Sequence, residues 1–431
     1  MPAAQRPNFV FILADDLGHA DLGCYGGRPP SCSPVLDRMA AQGLRFTDAY
    51  ANSAVCSPTR FALMTGRYQY RLRGAAEEPL GGWARGSMVL GLPPEHPTLP
   101  SLLRDAGYAT ALVGKWHLGF PPAFGPLKSG YQEFFGVHHG GVDYFSHCDP
   151  QGRHDLHEGE DEVHKHGYLT DLLTERGIEF IERKKKGPFL LSLHYTAPHW
   201  PWETRSDEAE SKRIHGSIYH VDGGSVDTYR TMIHHMDEGI GKVLAALERA
   251  GVADNSLVVF TSDNGGERFS DNWPLFGSKM DLLEGGIRVP LIARWPAKAR
   301  PAVTSQLAIT MDWMPTFLAA AGIPADPGYP LDGVDLFRKQ AGDRELFWRT
   351  KYRSQKAMRA GRYKYLSMEG NEFLFDLAKD TRERANLARR EPERLAAMRE
   401  RFAAWEATMP PVPEDAKVSA PDKDRNTFAL P

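Results

Sequence analysis

The feature that most constrains the fold of this chain is the regular alternation of short apolar runs with longer helical patterns. Runs of six to seven residues rich in Val, Leu, Ile and Phe occupy 8–14, 108–113, 188–194, 256–261 and 288–294. Helical patterns lie between and after them at 34–42, 98–106, 168–183, 226–250 and 311–321. Strands that are apolar throughout are buried on both faces, and strands separated by helices usually pair in parallel. The sequence therefore predicts an α/β fold with a mostly parallel central sheet flanked by helices.

The pattern changes after Gly322. Three prolines mark a connecting segment, Pro324, Pro327 and Pro330. Shorter strand-like runs then follow at 345–348, 356–360, 363–366 and 372–376, and a charged helical pattern covers 391–407. Consecutive strands followed by a helix are typical of a small α+β unit with an antiparallel sheet. We therefore predict a large domain over residues 1–335 and a smaller α+β domain over residues 336–431.

The composition excludes several classes of protein. With 42% hydrophobic and 25% charged residues in 431, the chain is an ordinary globular protein rather than a disordered or coiled-coil one. The 52 Lys and Arg nearly balance the 55 Asp and Glu, which leaves a formal charge of −3. So balanced a charge indicates neither a nucleic acid nor an anionic membrane as partner. Any preference for anions must therefore be local.

The sequence indicates neither a targeting signal nor a disulfide framework. The apolar run at 9–14 is too short for a secretory signal, and no run approaches the length of a membrane span. We expect a cytoplasmic protein, with a periplasmic location or export by another route left open. The four cysteines make no disulfide framework, and the sequence leaves open whether Cys24 and Cys32 pair. It also leaves the oligomeric state open.

Polar residues follow the ends of the predicted strands. Asp15 and Asp16 come directly after the first strand, and Asp263 and Asn264 follow the strand at 256–261. The carboxyl ends of parallel strands share one edge of a sheet, so these residues are expected to converge. Three carboxylates and one amide form an all-oxygen set suited to Ca²⁺ or Mg²⁺. For Asp15 and Asp16 alone, the alternative is that they cap a helix or a turn, and two polar clusters at equivalent strand ends lower the weight of that alternative.

A second feature is the pentapeptide Cys56-Ser57-Pro58-Thr59-Arg60. It predicts a helix with Ser57 as N-cap, Pro58 as first helical residue and Gly66 as the stop. Cys56 is then expected just outside the helix, where the helix dipole lowers the pKa of its thiol and favours an adjacent anion.

Two lysines and two histidines near strand ends are further candidates. Lys115 and His117 are two residues apart in the segment after the strand at 108–113 and are expected to point the same way. His199 follows the strand at 188–194 between prolines, and Lys279 precedes a glycine-rich loop. The alternatives are solvated surface lysines and packed loop histidines.

A histidine-rich segment spans 138–166. It holds Cys148 and seven histidines: His138, His139, His147, His154, His157, His164 and His166. No pair shows the Cys/His spacing usual for structural zinc, although a zinc site is conceivable. The sequence leaves open a substrate-binding loop over the site and a plain surface loop.

Six of these segments, in this order, resemble the motifs of the type I, formylglycine-dependent sulfatases. They are Phe11-Ile-Leu-Ala-Asp-Asp-Leu-Gly18, Cys56-Ser-Pro-Thr-Arg60, Gly114-Lys-Trp-His-Leu-Gly119, Ala197-Pro-His199, Thr261-Ser-Asp-Asn-Gly-Gly266 and Gly277-Ser-Lys279. The match spans about residues 8 to 300, and the C-terminal segments Phe375-Asp-Leu377 and 383–387 also resemble the family. The resemblance implies the alkaline phosphatase superfamily fold. The run 141–147 resembles the arylsulfatase and N-acetylgalactosamine-sulfatase branch.

The resemblance also implies roles for individual residues. Cys56 would be oxidised to formylglycine by a formylglycine-generating enzyme, and its hydrate would attack a sulfate ester. Arg60 and Lys115 would hold the hydrate, His117 would act as base, and Lys279 with His199 would bind the sulfate. The implied calcium ligands, with magnesium as an alternative, are Asp15, Asp16, Asp263, Asn264 and the residue derived from Cys56. His138 and His139 are candidates for one further family position.

The function implied is hydrolysis of aryl or carbohydrate sulfate esters. One alternative is a phosphodiesterase or phosphonate monoester hydrolase that uses the same site, because the site recognises a tetrahedral anion first and its charge second. Another is a non-catalytic metal-binding homologue in which Cys56 is never oxidised. The sequence does not identify the physiological ester.

Overall fold

The computed structural model describes residues 6–214, 219–338 and 344–419. In chain order the strands are β1 (Asn8–Ala14), β2 (Leu44–Phe46), β3 (Ala49–Tyr50), β4 (Ala109–Lys115), β5 (Glu133–Val137), β6 (Leu156–Glu158), β7 (Asp161–Glu162), β8 (Phe189–His194), β9 (Ser256–Ser262), β10 (Leu291–Arg294), β11 (Ala302–Thr304), β12 (Ala308–Ile309), β13 (Glu345–Arg349), β14 (Lys356–Ala360), β15 (Tyr363–Met368) and β16 (Asn371–Asp376). The α-helices are α1 (Pro34–Gln42), α2 (Cys56–Thr65), α3 (Leu99–Asp105), α4 (Leu169–Lys184), α5 (Glu208–Arg213), α6 (Val226–Arg249), α7 (Glu284–Ile287), α8 (Trp313–Ala321) and α9 (Pro392–Glu406).

The large sheet has ten strands in the order β11-β2-β10-β9-β1-β8-β4-β5-β6-β7. Its centre, from β9 to β5, is parallel throughout, and antiparallel pairs occur toward both edges. This confirms the predicted α/β fold with a mostly parallel sheet. The strand predicted at 288–294 begins only at Leu291 and runs antiparallel to β9. Pro290 has no N–H to give to the ladder, and Arg288 turns its guanidinium to the Thr47 carbonyl.

The central strands are buried on both faces because their side chains alternate between two cores. In β1, Val10 and Ile12 enter a core with α1, α4 and α6, while Phe9 and Phe11 enter a core with α2, α3 and α8. A period of two sends successive side chains of a strand to opposite faces. The continuous apolar run of β1 is therefore what a sheet covered by helices on both sides requires.

The C-terminal strands β13 to β16 form a four-stranded antiparallel sheet, as predicted. Its core is shared with α2: Ala62 packs in one cluster with Leu346, Trp348 and Phe402. The division at residue 335 stays a prediction, and residues 1–5, 215–218, 339–343 and 420–431 of the two predicted domains lie outside the described residues. The four cysteines, Cys24 and Cys32 included, are free thiols. Among the described helices, none is both long and apolar enough to cross a bilayer.

Candidate active site

The carboxyl ends of β1 and β9 meet at one edge of the large sheet. The two strands pair in parallel with Ala14 opposite Ser262, and the Asp263 N–H donates to the Ala14 carbonyl at 3.2 Å. Asp16 turns the chain off β1 with a left-handed backbone (φ 62°), which Asp tolerates better than most residues. The structure thus brings together the predicted oxygen donors, all of them buried: Asp15, Asp16, Asp263 and Asn264.

Cys56 lies at the N-terminus of α2 against these carboxylates. Its Sγ and one carboxylate oxygen each of Asp15 and Asp263 lie within 4.8 Å of one another. The predicted cap was wrong, because the helix begins at Cys56 itself, after an extended Val55. The Ser57 hydroxyl caps no helix and instead accepts the N–H of Leu80 at 2.8 Å. Gly66 ends α2 in a left-handed conformation (φ 64°), as predicted.

Arg60 lies one helical turn after Cys56 on α2 and contacts the ends of β4 and β9. Its Nε donates to Asp263 Oδ2 at 2.9 Å, its Nη2 lies 2.8 Å from the same oxygen, and its Nη1 donates to the Lys115 carbonyl at 2.9 Å. Burial disfavours the charged guanidinium, but Asp263 opposes that effect and the pKa of Arg60 is raised. Arg60 therefore fixes α2 against the ends of β4 and β9.

Two buried lysines face the two N-terminal aspartates. Lys115 Nζ donates to Asp15 Oδ2 at 2.5 Å, and Lys279 Nζ donates to Asp16 Oδ2 at 2.7 Å. Burial is the largest single influence and acts to raise the pKa of Asp16, but Lys279, His199 and Lys115 together outweigh it and lower that pKa to about 2. Burial and then the Asp263 charge raise the pKa of Asp15 well above its ordinary range. A further cation beside Asp15 would therefore relieve the repulsion among these carboxylates.

Both predicted histidines are present and neutral. His117 Nε2 lies 2.6 Å from the Leu80 carbonyl, which makes Nε2–H the donor, and its Nδ1 is buried without a hydrogen-bond partner among the described residues. His199 Nδ1 lies 2.7 Å from the Trp200 carbonyl, and its Nε2 lies 3.6 Å from Asp16 Oδ2. Burial lowers the pKa of each imidazole well below its ordinary value.

Two parts of the site were not found from the sequence. The backbone of Leu80 links Ser57 of α2 to the ring of His117, and no sequence signal identifies such a backbone role. Gly140 passes so close to His117 that a Cβ would lie 2.3 Å from its Cε1. The glycine pair that follows His138 and His139 was the available signal for this close approach.

The chain resembles known proteins in sequence and in structure. The model of the family described as Sulfatase matches residues 7–323. The chain belongs to the sulfatase family. It is 34% identical to human N-acetylgalactosamine-6-sulfatase over 389 residues, covering 83% of this chain and 70% of that one. It is 33% identical to human arylsulfatase A over 400 residues, covering 84% and 75%.

Solved structures show the same fold. The crystal structure of Ps i-CgsB in complex with k-i-k-neocarrahexaose superposes with a TM-score of 0.83, at 31% identity and 93% coverage of both chains. The alkaline-phosphatase-like fold implied by the motifs is therefore confirmed, and this chain is an enzyme of the sulfatase class.

In this sulfatase burial raises the pKa of the Cys56 thiol to about 11, while Lys115 and Lys279 act in the other direction. The lowering expected from the helix N-terminus was therefore wrong, because removing the thiolate from water outweighs the favourable charges around it.

The histidine-rich segment is only partly a surface loop. His138, His139 and His147 are buried, whereas His164 and His166 are exposed. Of the two candidates for the further family position, His139 is nearer the site, with its ring centroid 6.4 Å from that of His117. His138 instead packs on His157, at 4.6 Å between centroids.

Proposed function

We propose that this sulfatase hydrolyses sulfate esters of carbohydrates or aryl alcohols, with a formylglycine made from Cys56 as nucleophile. The observation that carries the proposal is one buried cluster at the sheet edge. It places Cys56 within reach of two carboxylates, and the Lys115 and Lys279 ammonium groups pair with the neighbouring aspartates. Fixed cations in a site that excludes water stabilise the charge that grows on oxygen during ester cleavage.

The donor set fits the calcium ion of the proposal. Asp15 Oδ1 and Asn264 Oδ1 are buried and have no hydrogen-bond partner in the described part of the chain. Asn264 Nδ2 donates to Asp16 Oδ1 at 2.7 Å and to the Gly265 carbonyl at 2.8 Å, which leaves Oδ1 as the ligand atom. Carboxylate and amide oxygens suit Ca²⁺ or Mg²⁺. Bound here, the ion would supply positive charge to a sulfate oxygen.

Side chains of the protein supply the positioning, proton transfer and sulfate binding. Arg60 is a positioning residue, since it touches Asp263 and the backbone of Lys115. His117 donates from Nε2 to Leu80, so its Nδ1 is the atom that accepts a proton from the hydrate. Lys279 carries the positive charge that binds sulfate, and His199 adds a second contact when its Nε2, which lies 3.6 Å from Asp16 Oδ2, carries a proton.

Maturation by a formylglycine-generating enzyme is part of the proposal. Cys56 is only 1% exposed, so an oxidising enzyme has to reach it before the chain folds. The hydrated aldehyde supplies one hydroxyl for attack at sulfur and a second whose deprotonation expels sulfate, which divides one difficult reaction into two easier steps.

The test compares turnover of 4-nitrophenyl sulfate with that of bis-4-nitrophenyl phosphate by enzyme from the native host. We expect a preference for the sulfate, loss of turnover in Cys56→Ala, and full turnover in the matched control Cys148→Ala. A large preference for the phosphodiester would favour the rival phosphodiesterase activity. Peptide mass spectrometry at Cys56 completes the test: an unmodified thiol in inactive protein would indicate the non-catalytic homologue.

Carbohydrate esters are the substrates that we propose first. One of the two relatives reported above is named for N-acetylgalactosamine 6-sulfate, and one solved relative was crystallised with a neocarrahexaose. A screen of matured enzyme on aryl, monosaccharide and glycosaminoglycan sulfates tests this choice. Hydrolysis confined to aryl sulfates would contradict it.

A further inference from the structure

A group of three side chains, separate from the proposed active site, lies on one face of β5 and β6. The two strands are antiparallel, with Val137 opposite Leu156 and Gly136 opposite His157. Continuing this register puts His138 across from Asp155. Asp155 and His157 are two residues apart and share a face, while Leu156 points into the opposite core. Gly136 carries no side chain, so three ligand-forming groups converge: His138, Asp155 and His157.

The three groups are close and largely removed from water. One ring nitrogen of each histidine and one carboxylate oxygen of Asp155 lie within 4.8 Å of one another. His138 is 3% exposed and Asp155 is fully buried. His138 Nδ1 and Asp155 Oδ1 have no hydrogen-bond partner within the described ranges. Buried polar atoms are nearly always satisfied, so two such atoms in one group indicate a missing ligand.

The surroundings hold these side chains as metal ligands are usually held. His157 Nδ1 lies 2.8 Å from the Asp155 carbonyl, so Nδ1–H donates and the Nε2 lone pair stays free. Asp155 Oδ2 accepts the His139 N–H at 2.6 Å, which fixes the carboxylate. A second hydrogen bond of this kind sets the tautomer and orientation of a metal-bound imidazole.

The charge of Asp155 is not fully matched by its neighbours. Arg85 Nη2 donates to Asp149 Oδ2 at 2.7 Å and lies 3.7 Å from Asp155 Oδ1, too far for a hydrogen bond. The Asp155 carboxylate therefore has no hydrogen-bonded cation among the described residues.

We propose that His138, Asp155 and His157 bind a zinc ion. Two imidazoles and one carboxylate are a standard zinc donor set, with water as fourth ligand, whereas calcium requires six to eight oxygens. The same donors bind Fe²⁺, but zinc is the stronger ion in the general order of affinities.

The zinc site would stabilise the edge of the active site. Asp155 holds the backbone of His139, and the His139 ring lies 6.4 Å from that of His117. The inference does not rest on the proposed function, because it concerns a different set of residues and is tested by binding.

A second histidine-containing group in the same segment is the alternative candidate for the zinc site. His154, Glu162 and His164 also bring ligand atoms within 4.8 Å of one another. Their side chains are 15%, 49% and 77% exposed, so water satisfies much of this group. In this alternative group only His154 Nδ1 is buried without a hydrogen-bond partner among the described residues, whereas the buried group has two such atoms on two buried side chains. The buried group is therefore the one that we assign.

The experiment titrates metal-free protein with zinc after saturation with calcium, which keeps the proposed calcium ligands occupied. We expect one zinc per chain by calorimetry and elemental analysis. Co²⁺ in place of zinc should show the visible absorption of a four-coordinate site. Asp155→Asn with His157→Ala should weaken binding by more than about 100-fold, since losing an outer-shell partner alone costs up to that much. The matched control, His154→Ala with His164→Ala, should bind zinc as the parent does.

Two results would overturn the proposal: a parent protein that takes up no zinc, or loss of zinc binding in the His154→Ala, His164→Ala control. The control changes partly exposed side chains, so it decides between the two groups even if the buried variant fails to fold. Retained zinc in a folded buried variant, checked by circular dichroism, would also refute the assignment.

Discussion

Glu203 provides a sharp test of the electrostatics behind the active site. Its side chain is fully buried, one carboxylate oxygen accepts the Tyr144 N–H at 3.1 Å, and the other has no partner in the residues described. The neighbouring Asp143 carboxylate already accepts three hydrogen bonds, from Phe145, Ser146 and Ser211. Burial, followed by the Asp143 charge, raises the pKa of Glu203 to about 9.

The raised pKa has a defined consequence for stability. In the folded chain Glu203 keeps its proton up to about pH 9, whereas in the unfolded chain it loses the proton near its model value of 4.5. Below that value both states are protonated and the group has no effect. Above it, the free energy of unfolding falls by about 1.4 kcal/mol per pH unit until the folded group ionises. At pH 7 this amounts to about 3 kcal/mol of lost stability.

We therefore expect Glu203→Gln to stabilise the protein, and to do so more as the pH rises. Glutamine keeps the acceptor for Tyr144 and presents an N–H₂ group to Asp143 in place of a second carboxylate. Between about pH 5.5 and about pH 7.5 the stability advantage of the variant should grow by about 3 kcal/mol.

Urea unfolding followed by tryptophan fluorescence, at fixed calcium concentration, measures this difference. Glu248→Gln, an exposed site on α6, is the matched control and should show no such trend. An advantage of Glu203→Gln that does not change with pH, or a destabilised variant at both pH values, would refute the reasoning.

Three further predictions follow from the buried ion pairs. Asp263→Ala removes one proposed calcium ligand, so the calcium concentration for half-maximal sulfatase activity should rise at least about 10-fold; an unchanged calcium titration would remove Asp263 from the ligand set. Lys364→Met leaves Glu284 and Glu383, which Lys364 Nζ contacts at 3.0 and 2.8 Å, without their shared cation. It should destabilise the fold by about 3–5 kcal/mol in urea unfolding, and a loss below about 1 kcal/mol would contradict this. Lys279→Ala should lower kcat/KM for 4-nitrophenyl sulfate by about 100- to 1000-fold, measured on protein shown to be folded by circular dichroism, and retained activity would show that Lys279 does not bind the sulfate.

Much of the site could be predicted because its residues lie in short local patterns. Asp15 and Asp16 follow an apolar run, as do Asp263 and Asn264, and parallel pairing places both at one sheet edge. The start of α2 could not be predicted in the same way. A serine before a proline usually caps a helix, but here the Ser57 hydroxyl accepts the N–H of Leu80, which lies 23 residues away.

The sequence by itself determined the α/β class, the antiparallel C-terminal sheet and the set of chemically capable residues. These depend on periodicity and on residue type, which are properties of short segments. Only the tertiary structure decided which partners those residues have. It pairs Lys279 with Asp16, sets Glu203 against Asp143, and raises the pKa of the Cys56 thiol by burial. The grouping of His138 with Asp155 and His157 likewise depends on strand register, and a shift of one residue would turn the side chains of one strand to the opposite face.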